Sequence, residues 1–181
     1  MFFRIFVDMK NHSTRLIKAI TIISLLLLPV MGSSAFAHNK EKAKAETVTK
    51  EESLIDRLLD KAKSYLGTPY RRSGKSPKGF DCSGFTSWVY KKFGVSLGCS
   101  SRAQYTQGEK VCRKEIQPGD LVFFSGTRGG KTIGHVGIVY KVSDSGSFKF
   151  IHSSSSGGVK ISSINEQYYS SRFKGARRMM T

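Results

Sequence analysis

The chain has 181 residues, 39% of them hydrophobic, and carries 30 lysines and arginines against 13 acidic residues, a formal charge of +17. That length suits one globular domain with extra segments and excludes two full domains. The charge points to a polyanionic partner, of which nucleic acid, anionic lipid, teichoic acid and a carboxylate-rich cell wall are the candidates.

The first segment decides among these. Arg4, Lys10, Arg15 and Lys18 precede an apolar run from Ala19 to Val30, and small residues follow up to Ala35-Phe36-Ala37. This is the three-part layout of a secretory signal peptide. The run is too short for the roughly 20 residues that a membrane-spanning helix needs. Residues 1–37 are therefore expected to be a leader, removed to leave a mature chain starting near His38, exported to the periplasm, envelope or exterior and not stably inserted in a membrane. Residues 1–37 contribute four basic residues and one acidic, so +17 less +3 leaves +14 on the mature chain. Export argues against nucleic acid. So does the scatter of basic pairs, Arg71-Arg72, Lys91-Lys92 and Arg177-Arg178, and the lack of a nucleic-acid-binding motif.

Residues 38–50 (HNKEKAKAETVTK) are polar and without apolar periodicity, and read as a flexible charged spacer. Residues 51–181 read as one domain. Leu54, Ile55, Leu58, Leu59, Ala62, Tyr65 and Leu66 recur at helical spacing and Gly67 follows, so a first amphipathic helix is predicted to run up to that glycine. The stretch TPYRRSGKSPKG is rich in breakers and reads as a loop. A second helix is predicted to begin at or near Cys82 and to end at Gly94, with Phe85, Trp88, Val89 and Phe93 on its apolar side. A third short helix over 100–108 takes Ser100 or Ser101 as its cap. β-prone runs follow at 121–124, 135–142, 148–152 and 159–162, separated by turns. Helices first and strands afterwards imply an α+β domain built on an antiparallel sheet.

Cys82, Cys99 and Cys112 are three in number, which leaves at least one thiol unpaired within a monomer. Cys82, in Gly79–Tyr90 (GFDCSGFTSWVY), falls at the predicted first turn of a helix, where amide groups and the helix dipole favour a thiolate. Ser83 and Gly84 would leave the approach to the sulfur uncrowded. An activated thiol there is expected to react well below pH 8. His135 opens a β-prone strand between glycines, in position for a general base, and His152 closes the next strand, where it would orient the first ring. Residue types alone leave a buried inert thiol and satisfied structural histidines open as alternatives. A metal site is not expected, since neither C-x-x-C nor H-x-x-H spacing occurs.

Several strings carry more. YLGTPYRRSGKSPKGFDCSGFTSWVYKKFGVSL, then IQPGDLVFF, IGHVGIVY, FIHSSSSGGVKISSI and FKGARR resemble, in order and spacing, the NlpC-type family of bacterial cell-wall cysteine peptidases. The resemblance covers the chain from about Ile55 to Arg178. It implies a papain-like α+β fold in which Cys82 is the nucleophile, His135 the general base and His152 the third member of a Cys-His-His triad. It also assigns Tyr70 to the wall of the site, for the oxyanion; Asp81, Ser83 and Arg71 are taken with it as candidate oxyanion or substrate contacts, Arg71 or Arg72 for a free carboxylate of the stem peptide. The substrates it implies are peptidoglycan stem peptides, cut at or next to diaminopimelate through an acyl-enzyme, with no cofactor. A monomer is expected. RRSG after Tyr70 and LGCSS before the third helix depart from the family's usual glycine pair and L-P-R-x-S. A disulfide between Cys99 and Cys112 would require their Cα atoms within about 7 Å. Two other readings share these residues, namely a non-catalytic wall-binding module and an amidase or acyltransferase on the same plan.

Overall fold

The computed structural model describes residues 54–126 and 130–180. The expected leader and spacer lie outside the described residues. The first helix, α1, covers 54–63 and buries Leu58, Leu59 and Ala62. It stops short of the predicted end at Gly67 because residues 64–67 form a turn whose Gly67 N–H bonds Val159 O at 2.9 Å. The expected loop after it contains a two-stranded antiparallel ribbon, β1 (Lys75–Ser76) with β2 (Gly79–Phe80), too short for any periodicity to show in the sequence. Helix α2 (Cys82–Lys91) follows, then α3 (Ser101–Tyr105), which is capped by the Ser100 hydroxyl.

Six strands form the main sheet: β3 (Glu109–Val111), β4 (Leu121–Ser125), β5 (Ile133–Val142), β6 (Phe148–Ser154), β7 (Gly158–Ser163) and β8 (Phe173–Arg178). A single 3-10 turn lies at Arg113–Glu115, and a one-turn helix, α4 (Gln167–Ser170), precedes β8. The order across the sheet is β3-β8-β4-β5-β6-β7, and every neighbouring pair is antiparallel. The four strands expected from the sequence are all present, and the α+β architecture is as read. β3, β8 and α4 escaped the sequence reading. β8 is basic rather than apolar: Arg177 lies over the Tyr105 ring at 4.9 Å and Arg178 binds Asp120.

Alternation along β4 builds two cores. Leu121 and Phe123 pack with α1 and α2 residues, including Leu58, Phe85 and Val89. Val122 and Phe124 pack on the opposite face with Phe150, Ile164 and Tyr169. β4 is thus buried on both faces, which is why its sequence is a continuous apolar run.

The Gln117–Asp120 turn fastens the sheet. Asp120 is almost fully buried, takes the Gln117 N–H at 2.8 Å, and binds Arg178 of β8 through Nε at 2.8 Å and Nη2 at 2.9 Å. This two-pronged pair clamps the start of β4 to the end of β8. The Tyr90 hydroxyl donates to the Gly119 carbonyl and ties the same turn to the last residues of α2. Asp120→Ala is expected to lower the unfolding free energy by about 3 kcal/mol, as for a part-buried ion pair broken on one side. A lower urea midpoint with an unchanged slope would show it.

Candidate active site

Cys82 is the first residue of α2, and Asp81 is its N-cap. The Asp81 carboxylate accepts the Gly84 N–H at 2.6 Å and the Ser83 hydroxyl at 3.1 Å. Both flanking residues expected to contact substrate therefore use their side chains to build the helix terminus. The Ser83 hydroxyl, buried, also reaches the Cys99 carbonyl at 3.4 Å. Gly84 leaves space for backbone rather than for substrate, because a Cβ there would collide with the Gly74 carbonyl. α3 holds the same end of α2 through Gln104, which is fully buried. Its amide accepts from Thr86 Oγ1 at 2.8 Å and donates to Ser83 O, Ser87 Oγ and Gly98 O.

The sulfur lies against β5. The backbone N–H groups of Val136, Ser83 and Cys82 itself favour its thiolate, but burial, then the Asp81 carboxylate, outweigh them and push the thiol up to about 11. Burial and the cap carboxylate thus oppose the helix terminus that the sequence reading takes to favour the thiolate. Cys99 and Cys112 are exposed free thiols in this structure.

His135 stands next to Val136, where β4 and β5 slip register: Phe124 pairs with His135 but Ser125 with Ile133, leaving Gly134 as an extra residue. A bulge of this kind re-aims the side chain beside it. His135 Nε2 lies 2.8 Å from His152 Nδ1. Gly137 makes room for the second ring, since a Cβ there would stand 3.1 Å from His152 Cβ and 2.7 Å from Phe150 Cδ2. His152 is fully buried, and its Nε2 meets Ser162 Oγ at 3.2 Å and Tyr169 Oη at 3.3 Å. Neither hydroxyl was singled out in the sequence; a serine in a β-run and one tyrosine of a pair carry no local signal. With Nε2 of His135 occupied, Nδ1 is its other ring nitrogen. Among the described residues no hydrogen bond joins either ring nitrogen of His135 to Cys82, whose nearest link to that strand is the Val136 N–H.

Tyr70 bridges to Phe80, two residues before Cys82, and its hydroxyl is pushed up by burial and then by the neighbouring thiol. Tyr70 is 37% exposed, so it stands open to solvent beside the sulfur. Arg71 is held by its backbone, N–H to Phe80 O at 3.0 Å, while its side chain is exposed. No group of three or more metal-ligating side chains occurs among the described residues.

The model of the NlpC/P60 family matches residues 67–178, which contain every candidate residue above. The chain belongs to the NlpC/P60 family. Its relatives include an Escherichia coli protein described as murein DD-endopeptidase MepS/murein LD-carboxypeptidase, 35% identical over 152 residues that make up 83% of this chain and 77% of that one. A Bacillus subtilis gamma-DL-glutamyl hydrolase is 40% identical over 67% of this chain and 28% of its own. A solved NlpC/P60 protein from Bacillus cereus superposes with a TM-score of 0.63 at 35% identity, covering 70% of this chain and 40% of that one. The NlpC-type resemblance and the papain-like α+β fold are borne out, and with them the class of enzyme, a cysteine peptidase that hydrolyses peptidoglycan.

Burial lowers His135 to about 4 and lowers His152 further, the adjacent ring and Lys160 adding to burial there. Both imidazoles are neutral in the fold, whereas in the unfolded chain they protonate near the ordinary value of about 6.5. Their contribution to stability is complete above that pH and is lost as pH falls towards about 4. The urea midpoint is expected to decline across this window, and less steeply in His152→Asn.

Proposed function

We propose that Cys82 opens a peptide bond of a peptidoglycan stem, at or next to diaminopimelate, with His135 as general base and His152 as the residue that orients it. The observation that supports this reading is the 2.8 Å contact between His135 Nε2 and His152 Nδ1, which leaves Nδ1 as the nitrogen of His135 to serve a thiol held at the N–H of the next residue, Val136. Because thiol and imidazole both rest neutral, the proton leaves sulfur for Nδ1 as sulfur attacks the carbonyl, in place of a preformed ion pair. The amide groups at the first turn of α2, together with the Tyr70 hydroxyl, are suited to the oxyanion. The imidazolium then gives its proton to the leaving amine, and water activated by the same nitrogen hydrolyses the thioester. Relatives described as a murein DD-endopeptidase and a gamma-DL-glutamyl hydrolase support a wall peptide as substrate.

An exported protein working as a monomer in the envelope agrees with this substrate. Residues 1–37 have the layout of a cleavable leader, and the +14 charge of the rest draws the chain to the anionic wall. No helix among the described residues is long and apolar enough to cross a membrane.

Cys82→Ala is expected to reduce release of muropeptides from purified sacculi by at least about 10³-fold, as loss of a covalent nucleophile does. Mass spectrometry of the soluble products identifies the bond; undiminished release would refute the assignment. The base must be unprotonated to work, so kcat/KM is expected to hold through mildly acidic pH and to fall only as pH approaches about 4. A limb near pH 6.5 would show an unburied histidine instead.

A further inference from the structure

We infer that the Ser162 and Tyr169 hydroxyls decide which nitrogen of His135 is basic, acting through His152 as positioning residues; the inference rests on the triad reading above. Two ring nitrogens 2.8 Å apart share one proton, since two donors would repel and two lone pairs would not bond. If that proton sits on His135 Nε2, then His135 Nδ1 is a lone pair available to the thiol. His152 must then carry its own proton on Nε2, facing Ser162 Oγ and Tyr169 Oη at 3.2 and 3.3 Å. If the shared proton sits on His152 Nδ1 instead, His135 is protonated on Nδ1 and has no base to offer.

The choice turns on what stands at His152 Nε2. His152 is fully buried and Ser162 and Tyr169 are buried beside it, so no bulk water substitutes for them. With two hydroxyl oxygens present, a proton on Nε2 has acceptors, provided that Ser162 and Tyr169 turn their own hydrogens elsewhere. Without them, a buried N–H is left unpaired and the proton moves to Nδ1, where His135 can accept it. Productive transfer asks for the first arrangement, because His135 on gaining its second proton still donates from Nε2 to a lone pair. No carboxylate hydrogen-bonds either imidazole among the described residues, so this relay sets direction without supplying a countercharge.

Tyr169 is also placed independently of its hydroxyl. α4 delivers it, and its ring packs edge-on against Phe124 at 5.3 Å and Phe150 at 4.9 Å. Tyr169→Phe therefore keeps the packing and removes only the oxygen. The test uses the full chain with 15N-labelled histidine, read by long-range 1H–15N correlation without substrate. The wild type is expected to show His152 protonated on Nε2. The double variant Tyr169→Phe/Ser162→Ala is expected to show the proton on Nδ1, and its kcat on sacculi to fall by at least about 100-fold, the lower end of general-base losses, at unchanged KM. Each single variant, which keeps one acceptor, is expected to retain the wild-type tautomer.

Protonation of His152 on Nδ1 in the wild type would overturn the inference, and this measurement needs no variant to fold. So would a double variant that keeps both tautomer and kcat. A tautomer shift in a protein whose wild type leaves sacculi uncut would support the relay while removing the substrate reading.

Discussion

The docking of one helix terminus against the start of one strand governs this molecule. A carboxylate at position 81 closes the first turn of α2, Gln104 locks that turn to α3, and the sulfur of Cys82 is set against the Val136 N–H of β5. The glycine one turn in allows the β1 segment to lie on the helix, with the Asp81 N–H bonded to Gly74 O at 2.9 Å. Loosening any of these contacts moves the thiol relative to the strand that carries His135, and a displacement of about 1 Å is costly for catalysis.

Electrostatics and packing pull in opposite directions at this junction. A helix N-terminus favours a thiolate, yet the cap that creates the terminus is itself an anion beside the sulfur, and burial adds to its effect. The histidines are likewise buried enough to stay neutral. Burial thus disfavours charge on the thiol and on both imidazoles of the candidate site. Its open side is supplied by Tyr70 and by the partly exposed His135, while His152 is sealed behind.

The sheet supplies the rigidity. β4 and β5 are the central strands that bring His135 to the junction, and both cores press on β4. The Asp120–Arg178 clamp and the Tyr90 bond to Gly119 join the two ends of this arrangement, sheet and helix, at a single turn. The Q-P-G-D string and the basic end of β8 thus owe their residue types to one contact made far apart in sequence.

Hydrophobic period was enough to reveal the helices at 54–63 and from Cys82, the four apolar strands and hence the α+β class, because burial on one or both faces writes itself into residue order. The strings around Cys82, His135 and His152 were sufficient to single out those residues and the family. Sequence alone left unseen the strands whose partners, not their composition, make them strands, β8 above all. It also grouped Asp81 and Ser83 with substrate contacts where folding engages their side chains in the helix cap, and it could not weigh the burial that opposes a thiolate at Cys82. Ser162, Tyr169 and Gln104 gain their meaning only from neighbours 10 to 21 residues away. Hydrogen-bond partners and desolvation are properties of three-dimensional surroundings, and those are fixed only when the chain has closed on itself.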